Sequence, residues 1–543
     1  MRITSKIMQN NSLSNINTNK TLQDKLNTQM ATEKKINRPS DDPVVAIRAM
    51  RLRTNVSQVT QYYSKNAPDA ESWLDLTESA LSTVVEVVTD MIAECNSGAN
   101  EKLKSEDRLT IIEALKKLKE EVYSTGNADY AGRSLFTGYR TDSTLKFTED
   151  AQKTYSITEH ITSADIDTIT HVKTDNLNSI NDANYNTADY KDITEQQIET
   201  SEIHRIRLSY SDVDALASYK NDAQGNATVP TLTYYNEATG QYIPVQVDTN
   251  GDGNPDQAMD AITIASVDDV PNPYESVPEN GAVLIKETGE LLLGSNVYDA
   301  MMANKDNVNT TFNESSILVT YQKSNWLKDD LKPEHYFTCT DRTSDNGAEH
   351  VTYNPDYIVP GKEVAKQSIE YDVGANQTIR INTTADEVFV HAIGRDVDDL
   401  VDVMQDVVDM EETVARLETM VKDEKYNDTE RKTIQDQLDA ANKALTALSE
   451  KAQKMFEHGV TKMQEHLDTV NLASTNCGTR GKKLELITNR LMSQKTNFET
   501  LESENENVDV TEVAIQLSSA ELTYEAALMA TSKIMKTSLM DYI

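Results

Sequence analysis

The stretch "DVTEVAIQLSSAELTYEAALMATSKIMKTSL", residues 509–539, carries the clearest periodicity in the chain. Apolar or small side chains recur at alternating steps of three and four residues, at Val510, Val513, Leu517, Ala520, Tyr524, Ala527, Thr531, Ile534 and Ser538. This heptad spacing is typical of a helix that packs along one seam against another helix. Asp509 is placed to cap the helix, which would extend ~45 Å at ~1.5 Å per residue. The sequence therefore predicts a long C-terminal helix that needs a partner.

The opposite end of the chain is a weaker helix former. It contains five asparagines, Asn10, Asn11, Asn15, Asn17 and Asn19. Its apolar residues are only loosely periodic, at Ile3, Ile7, Leu13, Ile16, Leu22, Leu26 and Met30. Such a segment is marginal as an isolated helix. Two interpretations remain open: the two ends form an intramolecular helix pair, or they pair with each other and also with copies of themselves.

Helical patterns continue inward from both ends. One apolar stripe consists of Trp73, Thr77, Ala80, Val84, Val87 and Met91, flanked by Leu74, Leu81, Val85, Val88 and Ile92. A second helix shows the same spacing at Ile111, Leu115, Leu118 and Val122. Long helices are also predicted from residue 396 onward, where proline is absent. These patterns predict a helical hairpin near the N-terminus and long helices in the C-terminal part.

The middle of the chain, residues 146–394, differs from both ends in its proline content and in its strand-forming patterns. Nine of the twelve prolines lie between residues 230 and 360. Three stretches read as β-hairpins, because runs of strand-forming residues flank turn residues: "TLTYYNEATGQYIPVQV", "VLIKETGELLLG" and "SIEYDVGANQTIRINT". The predicted fold class is α+β and multidomain, with a long coiled-coil-like helical bundle built from both chain ends and a β-rich domain inserted between them.

Three parts are expected within the 543 residues. Residues 1–35 and 505–543 would form the terminal assembly helices. Residues 36–145 and 395–504 would form a helical rod domain. Residues 146–394 would form the inserted β-rich outer domain, as one or two subdomains.

The acidic composition of the chain limits the kinds of partner that it can bind. The formal net charge is −37 at pH 7. Such a charge disfavours binding to nucleic acid or to an anionic membrane surface. No apolar run is long enough to span a membrane, and the N-terminus lacks the apolar core of a cleaved signal peptide. The three cysteines, Cys95, Cys339 and Cys477, are far apart and are expected to be free thiols.

The acidic loop "DTNGDGNPD", residues 248–256, resembles an EF-hand calcium loop. Asp248, Asn250 and Asp252 occupy its first, third and fifth ligand positions, and Gly253 and Asp256 match its sixth and ninth. The twelfth position, where a bidentate glutamate is needed, is Met259 instead. A turn rich in Asn, Asp and Gly explains the composition equally well. A weak structural ion site and a plain turn both remain open, and no metal ligand is assigned.

Catalytic motifs are absent from the sequence. The eight histidines never form HExxH, and no GxSxG, P-loop or GxGxxG occurs. His458 and His466 are too far apart in sequence to clamp one metal as an i,i+4 pair. We therefore expect neither enzymatic activity nor a cofactor.

Two short motifs resemble those of bacterial flagellins. The corner "INRPSDDPVVA", residues 36–46, places Asp42 as a helix N-cap with Pro43 at the first helical position. It resembles the signature that follows the first flagellin helix, and "NADYAGRSLFTGYR", residues 127–140, resembles the flagellin turn into the outer domain. "RGKKLELITNRL" and "LESENENVDVTEVAIQL" resemble flagellin C-terminal helices. Together the resemblance covers residues 1–145 and 395–543.

The resemblance implies a structural subunit of the bacterial flagellum at the hook–filament junction. Such a subunit would be extracellular, exported through the flagellar type III apparatus without a cleaved signal peptide. Its partners would be copies of itself in a helical ring, a neighbouring hook-associated protein, flagellin and an export chaperone. The residues predicted to form the buried assembly seam are Val513, Leu517, Tyr524, Leu528, Ile534 and Leu539. Two alternatives remain: a filament subunit, or a calcium-dependent extracellular adhesion protein on a helical stalk.

Overall fold

The computed structural model describes residues 5–100, 103–174, 176–267, 272–304, 317–359 and 367–540. Within these ranges the chain forms eight α-helices: α1 Ser5–Thr32, α2 Pro43–Gln61, α3 Ala67–Gly98, α4 Ser105–Thr125, α5 Ser295–Ala303, α6 His391–Lys422, α7 Asp428–Glu506 and α8 Val510–Met540. One π-helical turn, Tyr62–Asn66, joins α2 to α3. The long predicted helices at both ends are confirmed, and α7 alone contains 79 residues.

The described residues also form seventeen strands. In chain order they are β1 Asp129–Tyr130, β2 Arg133–Ser134, β3 Ala151–Ile161, β4 Ile166–Val172, β5 Thr200–Arg207, β6 Thr231–Asn236, β7 Gln241–Pro244, β8 Gln246–Val247, β9 Gln257–Ala258, β10 Thr263–Ala265, β11 Ala282–Ile285, β12 Glu290–Leu293, β13 Ile317–Trp326, β14 Thr338–Asp341, β15 Val351–Tyr353, β16 Glu370–Gly374 and β17 Gln377–Arg380. The predicted fold class, α+β with helices from both ends and a β-rich middle, is confirmed.

Two sheets contain most of the strands. One has six strands in the order β15-β14-β3-β13-β6-β7, and the other has five in the order β10-β11-β12-β5-β4. Neighbouring strands are antiparallel except for the β10–β11 pair. All three predicted hairpins are confirmed, as β6–β7, β11–β12 and β16–β17. Alternation around a short turn was a sufficient signal, because each hairpin is a local structure.

The chain divides into two compact units. Unit 1 comprises Met1–Ser72, Glu370–Ile379 and Arg480–Ile543, and unit 2 comprises Trp73–Ile369 and Arg380–Thr479. Unit 1 therefore contains α1, α2, α8 and most of the β16–β17 hairpin. The three-part division predicted from the sequence stays a prediction.

The core of unit 2 contains the predicted stripe of α3. Its six residues at steps of four and three are all buried, from Trp73 to Met91. Helix α4 packs against α6, and Tyr123 of α4 donates a 3.0 Å hydrogen bond to the carbonyl of Val390. Gly394 of α6 lies so close that an added Cβ would be 2.7 Å from the Tyr123 hydroxyl oxygen. A side chain at this position would therefore push the two helices apart.

Candidate assembly surface of the terminal helices

Helices α1 and α8 pack against each other within unit 1. Leu26 of α1 and Val513 and Ala520 of α8 form a small buried cluster. Val508 and Leu517 pack against it and are partly buried. The heptad pattern therefore did identify the face of α8 that meets another helix, and that helix belongs to the same chain.

The burial of α8 follows the predicted heptad positions over most of its length. Tyr524, Ala527 and Thr531 continue the seam and are half-buried. Val510 departs from the pattern with 42% exposure, because it lies in the first turn of α8. The α1–α8 contact is thus long but contains few fully buried side chains.

The six residues predicted to form the assembly seam do not share one face. Val513, Leu517 and Tyr524 lie on the seam with α1. Leu528 lies off that seam and is 44% exposed. Ile534 and Leu539 lie in α8, but their side chains are outside the described part of the structure. Burial of these residues between neighbouring subunits stays a prediction.

The opposite face of α8 is apolar and exposed. Ile515, Leu522 and Met529 are 66%, 73% and 65% exposed and recur every seven residues. Each lies two positions after a seam residue, about 200° around the helix at about 3.6 residues per turn. Helix α1 also exposes large apolar side chains, at Ile7, Met8, Leu13, Leu22 and Met30. We call Ile515, Leu522 and Met529 the outer stripe.

The segment after α1, residues 33–35, pairs with residues 506–508 at the junction of α7 and α8. We call these two segments the joint. The Lys35 amide donates a 2.7 Å hydrogen bond to the Glu506 carbonyl, and the Val508 amide donates one of 3.0 Å to the Glu33 carbonyl. Lys34 and Asn507 form an isolated antiparallel bridge between them. The chain thus leaves α1 and enters α8 through paired backbones.

Glu506 is the charged centre of this joint. Its side chain is only 4% exposed, yet it lies 3.4 Å from the Lys34 ammonium and accepts a 2.5 Å hydrogen bond from Nε of Arg53 in α2. The hydrogen bonds from Arg53 lower the pKa of Glu506, although burial opposes this shift, and Lys34 lowers it further. A buried carboxylate with two cationic partners fixes where α7 ends and α8 begins. Sequence reasoning missed this joint.

The corner in residues 36–46 has the predicted capping geometry. Asp42 Oδ1 accepts hydrogen bonds from the Val44 and Val45 amides at 3.0 and 3.2 Å, and Pro43 is the first residue of α2. Asp41 Oδ2 accepts bonds from the Asn37 and Arg38 amides, which lower the pKa of its carboxyl group. Each acidic side chain of the corner therefore fixes part of the backbone.

The second flagellin-like motif, residues 127–140, lies in unit 2 as a tight turn. Asn127 Oδ1 accepts a 3.0 Å hydrogen bond from the Leu145 amide, and Gly132 has a positive φ of 76° that favours glycine. Phe136 is buried, and its ring lies 4.8 Å from that of Phe389. The residues of the motif are thus those that form the turn and anchor it in the core.

Comparison with known proteins agrees with these motifs. Residues 3–141 match the family model described as the bacterial flagellin N-terminal helical region. The N-terminal part of the chain is thus similar to the bacterial flagellins. The chain is also similar to proteins named flagellar hook-associated protein 3. It is thus similar to structural proteins of the flagellum.

Two curated proteins and one solved structure are compared with this chain. Flagellar hook-associated protein 3 of Salmonella typhimurium is 30% identical over 143 residues, which cover 26% of this chain and 45% of that protein. The Escherichia coli protein of the same name is 29% identical over 154 residues, covering 28% and 48%. The match thus spans about half the length of each curated relative. The crystal structure of hook-associated protein 3 from Legionella pneumophila aligns over 84% of this chain and 97% of that one, with 8% identity and a TM-score of 0.28, too low to support the assignment.

The acidic loop, residues 248–256, is an exposed turn between β8 and β9. Asp248 accepts hydrogen bonds from the amides of Asn250, Gly251 and Gly253, which lower the pKa of its carboxyl group. Asp256 accepts a 3.1 Å hydrogen bond from the Thr249 amide. Over the described residues, no group of three or more His, Cys, Asp or Glu side chains could hold a metal ion. The oxygens of the loop thus stabilise its own backbone.

The cysteines and the two histidines singled out in the sequence form no common site among the described residues. All three cysteines are buried and form no disulfide bond among the described residues, and burial raises the pKa of Cys95 to about 12. His466 lies 2.7 Å from the carboxylate of Asp396, whereas His458 is exposed on the same helix. In the described part of the chain, no helix is both long and apolar enough to cross a membrane.

Proposed function

We propose that this chain is a structural subunit of the hook–filament junction that assembles with copies of itself through its terminal helices. The observation that carries the proposal is the outer stripe of α8, three large apolar side chains at heptad spacing on the face turned away from α1. An exposed apolar stripe at this spacing suits packing against a further helix. Residues 1–35 and 505–543 would then form the assembly part of the chain.

The α1–α8 pair by itself buries little apolar surface. Among the described side chains its buried cluster contains three residues, although each helix is about thirty residues long. Complete burial of a large aliphatic side chain contributes about 1.5–3 kcal/mol. With roughly two thirds of each side chain still exposed, burying the outer stripe would add roughly 3–6 kcal/mol per copy. Assembly would thus supply much of the stability that the terminal pair lacks.

The further partners follow from the relatives, whose names place them as hook-associated proteins of the flagellum. A junction subunit would contact a neighbouring hook-associated protein on one side and flagellin on the other, in a helical ring outside the cell. It would reach that place through the flagellar export apparatus with the help of a chaperone. Buried thiols that form no disulfide bond among the described residues are compatible with passage through such a channel as an unfolded chain.

A deletion strain tests the proposed position. If the chain is a junction subunit, its loss leaves hooks without filaments and releases flagellin monomers into the medium. If it were the filament subunit instead, the medium would lack that monomer, and the other junction proteins would remain on the hook. Immunogold labelling of intact flagella would locate the chain as a second readout, with a label confined to the hook tip expected for a junction subunit.

A truncated chain tests the proposed mechanism. Removal of residues 510–543 should leave a folded and soluble protein that no longer restores filaments to the deletion strain. Circular dichroism and thermal melting of the purified variant provide the control for folding. Loss of the remaining helical structure would contradict the proposal, because it would show that α8 is required for the fold and not specifically for assembly.

A further inference from the structure

Strand β4 forms one edge of the five-stranded sheet among the described residues, and it borders a groove. It pairs antiparallel with β5. Beyond the strand, the Lys173 amide donates a 2.8 Å hydrogen bond to the Glu199 carbonyl, which marks this pair as a hydrogen-bonded one. Because such pairs alternate along an antiparallel ladder, the N–H and C=O groups of Thr168 and Thr170 point away from β5. The outer edge of β4 therefore presents backbone donors and acceptors to the groove.

The groove lies entirely within unit 2 and encloses a cavity of about 310 Å³. One wall is formed by four consecutive residues of β4, 167–170. The facing wall is α7, between Lys451 and Lys462, and α6 contributes Leu400. A strand edge opposite a helix is the arrangement in which an extended peptide can add to a sheet.

The carboxylates that line the groove already have cationic or hydrogen-bonding partners. Asp399 of α6 pairs with Arg205 and lies 3.0 Å from Arg207. Asp396 lies 2.7 Å from His466, and Asp167 lies 4.0 Å from Arg205. Each of these carboxylates therefore has a cationic or hydrogen-bonding partner inside the fold.

The lysines of the facing wall differ from these carboxylates in forming no close ion pair among the described residues. Lys451, Lys454 and Lys462 line the groove from one face of α7. Among the described residues, none of the three lies within 4.0 Å of a carboxylate oxygen, whereas many other lysines of the chain form such ion pairs. Lys462 acts on the Asp167 carboxyl group and Lys451 on the Asp406 carboxyl group only at longer range. The three ammonium groups are therefore placed to pair directly with an anionic occupant.

We propose that this groove binds an extended acidic segment of a partner protein, which adds as a sixth strand along the outer edge of β4. The backbone of Thr168 and Thr170 supplies the ladder hydrogen bonds. Alternate side chains of the added strand point to opposite faces, so acidic ones at every second position would meet the three lysines of α7, and the side chains between them would point away from α7. The groove thus selects a segment in which an acidic residue recurs at every second position.

The test uses a fluorescein-labelled heptapeptide of alternating glutamate and valine, titrated with the full-length chain and followed by fluorescence anisotropy. Thr170→Pro removes one outward N–H while leaving the ladder to β5 intact, and should weaken binding about tenfold. Thr170→Val is its control and should bind normally, because the proposal gives the hydroxyl group no role.

A second pair of variants tests the charge. Lys454→Gln combined with Lys462→Gln should weaken binding about tenfold. Lys116→Gln combined with Lys432→Gln changes the net charge equally at exposed positions outside the groove and should have little effect.

Three results would overturn the proposal. The first is no saturable binding of the heptapeptide. The second is an equal loss of affinity in the two lysine pairs, which would indicate non-specific attraction. The third is displacement of the peptide by inorganic phosphate together with normal binding by Thr170→Pro, which would show a pocket for small anions without strand addition.

Discussion

Truncation of Leu26 to alanine tests how the terminal helices hold together. Leu26 is 4% exposed and packs against Val513 and Ala520 of α8. Buried Leu→Ala changes lower the free energy of unfolding by about 2–5 kcal/mol. Few side chains surround Leu26, so the cavity can collapse or fill with water, and we expect a loss of about 2–3 kcal/mol. At about 1.36 kcal/mol per factor of ten, the α1–α8 pair should open about 30- to 150-fold more often.

Hydrogen exchange followed by mass spectrometry measures this opening directly. In Leu26→Ala, the amides of α1 and of residues 510–533 should exchange faster by that factor, because both helices lose the same contact. Leu13→Ala removes the same atoms from the same helix at a side chain that is 55% exposed, and should change exchange little. Equal acceleration in the two variants, or acceleration in α1 alone, would refute the seam as described.

Two further predictions concern the joint and the α4–α6 contact. Arg53 holds the pKa of Glu506 below its ordinary value of 4.5. The ionised carboxylate therefore stabilises the fold above pH 4.5, and this stabilisation is lost as the pH falls through the lowered pKa. In Glu506→Gln, the urea concentration at the unfolding midpoint should therefore depend less on pH between neutral and acidic conditions. Gly394→Ala should destabilise the chain by about 1–3 kcal/mol, because the new Cβ overlaps Tyr123. Gly481→Ala, in a helix with open space around it, should instead stabilise by up to about 1 kcal/mol, and thermal melting distinguishes the two.

Local patterns account for what the sequence predicted well. The heptad of α8, the cap at Asp42 and the three hairpins each depend on residues close together in the chain, so their spacing is sufficient evidence. The wide stripe of α3 is likewise confirmed by burial from Trp73 to Met91. In each case the signal lies in residues of the element itself and does not depend on distant parts of the chain.

The features that sequence reasoning missed depend on distant parts of the chain. Glu506 meets Arg53 across 453 residues of sequence, and nothing in the local pattern of either residue points to the other. The groove beside β4 likewise requires the order of strands in the sheet and the approach of α7, which periodicity does not specify. Leu528, one of the residues predicted for the assembly seam, lies off the heptad that α1 occupies and is 44% exposed.

The outer stripe provides the most direct test of assembly through the terminal helices. Its three residues would be replaced by glutamine, which keeps helix propensity, in Ile515→Gln, Leu522→Gln and Met529→Gln together. The matched control changes three exposed polar positions of the same helix that lie off the outer stripe, in Ser519→Gln, Glu521→Gln and Thr523→Gln. The measurement is the fraction of hooks that carry filaments, counted by electron microscopy in a strain that lacks its own copy. We predict bare hooks with the first variant and restored filaments with the control, and restoration by both would contradict assembly through the outer stripe.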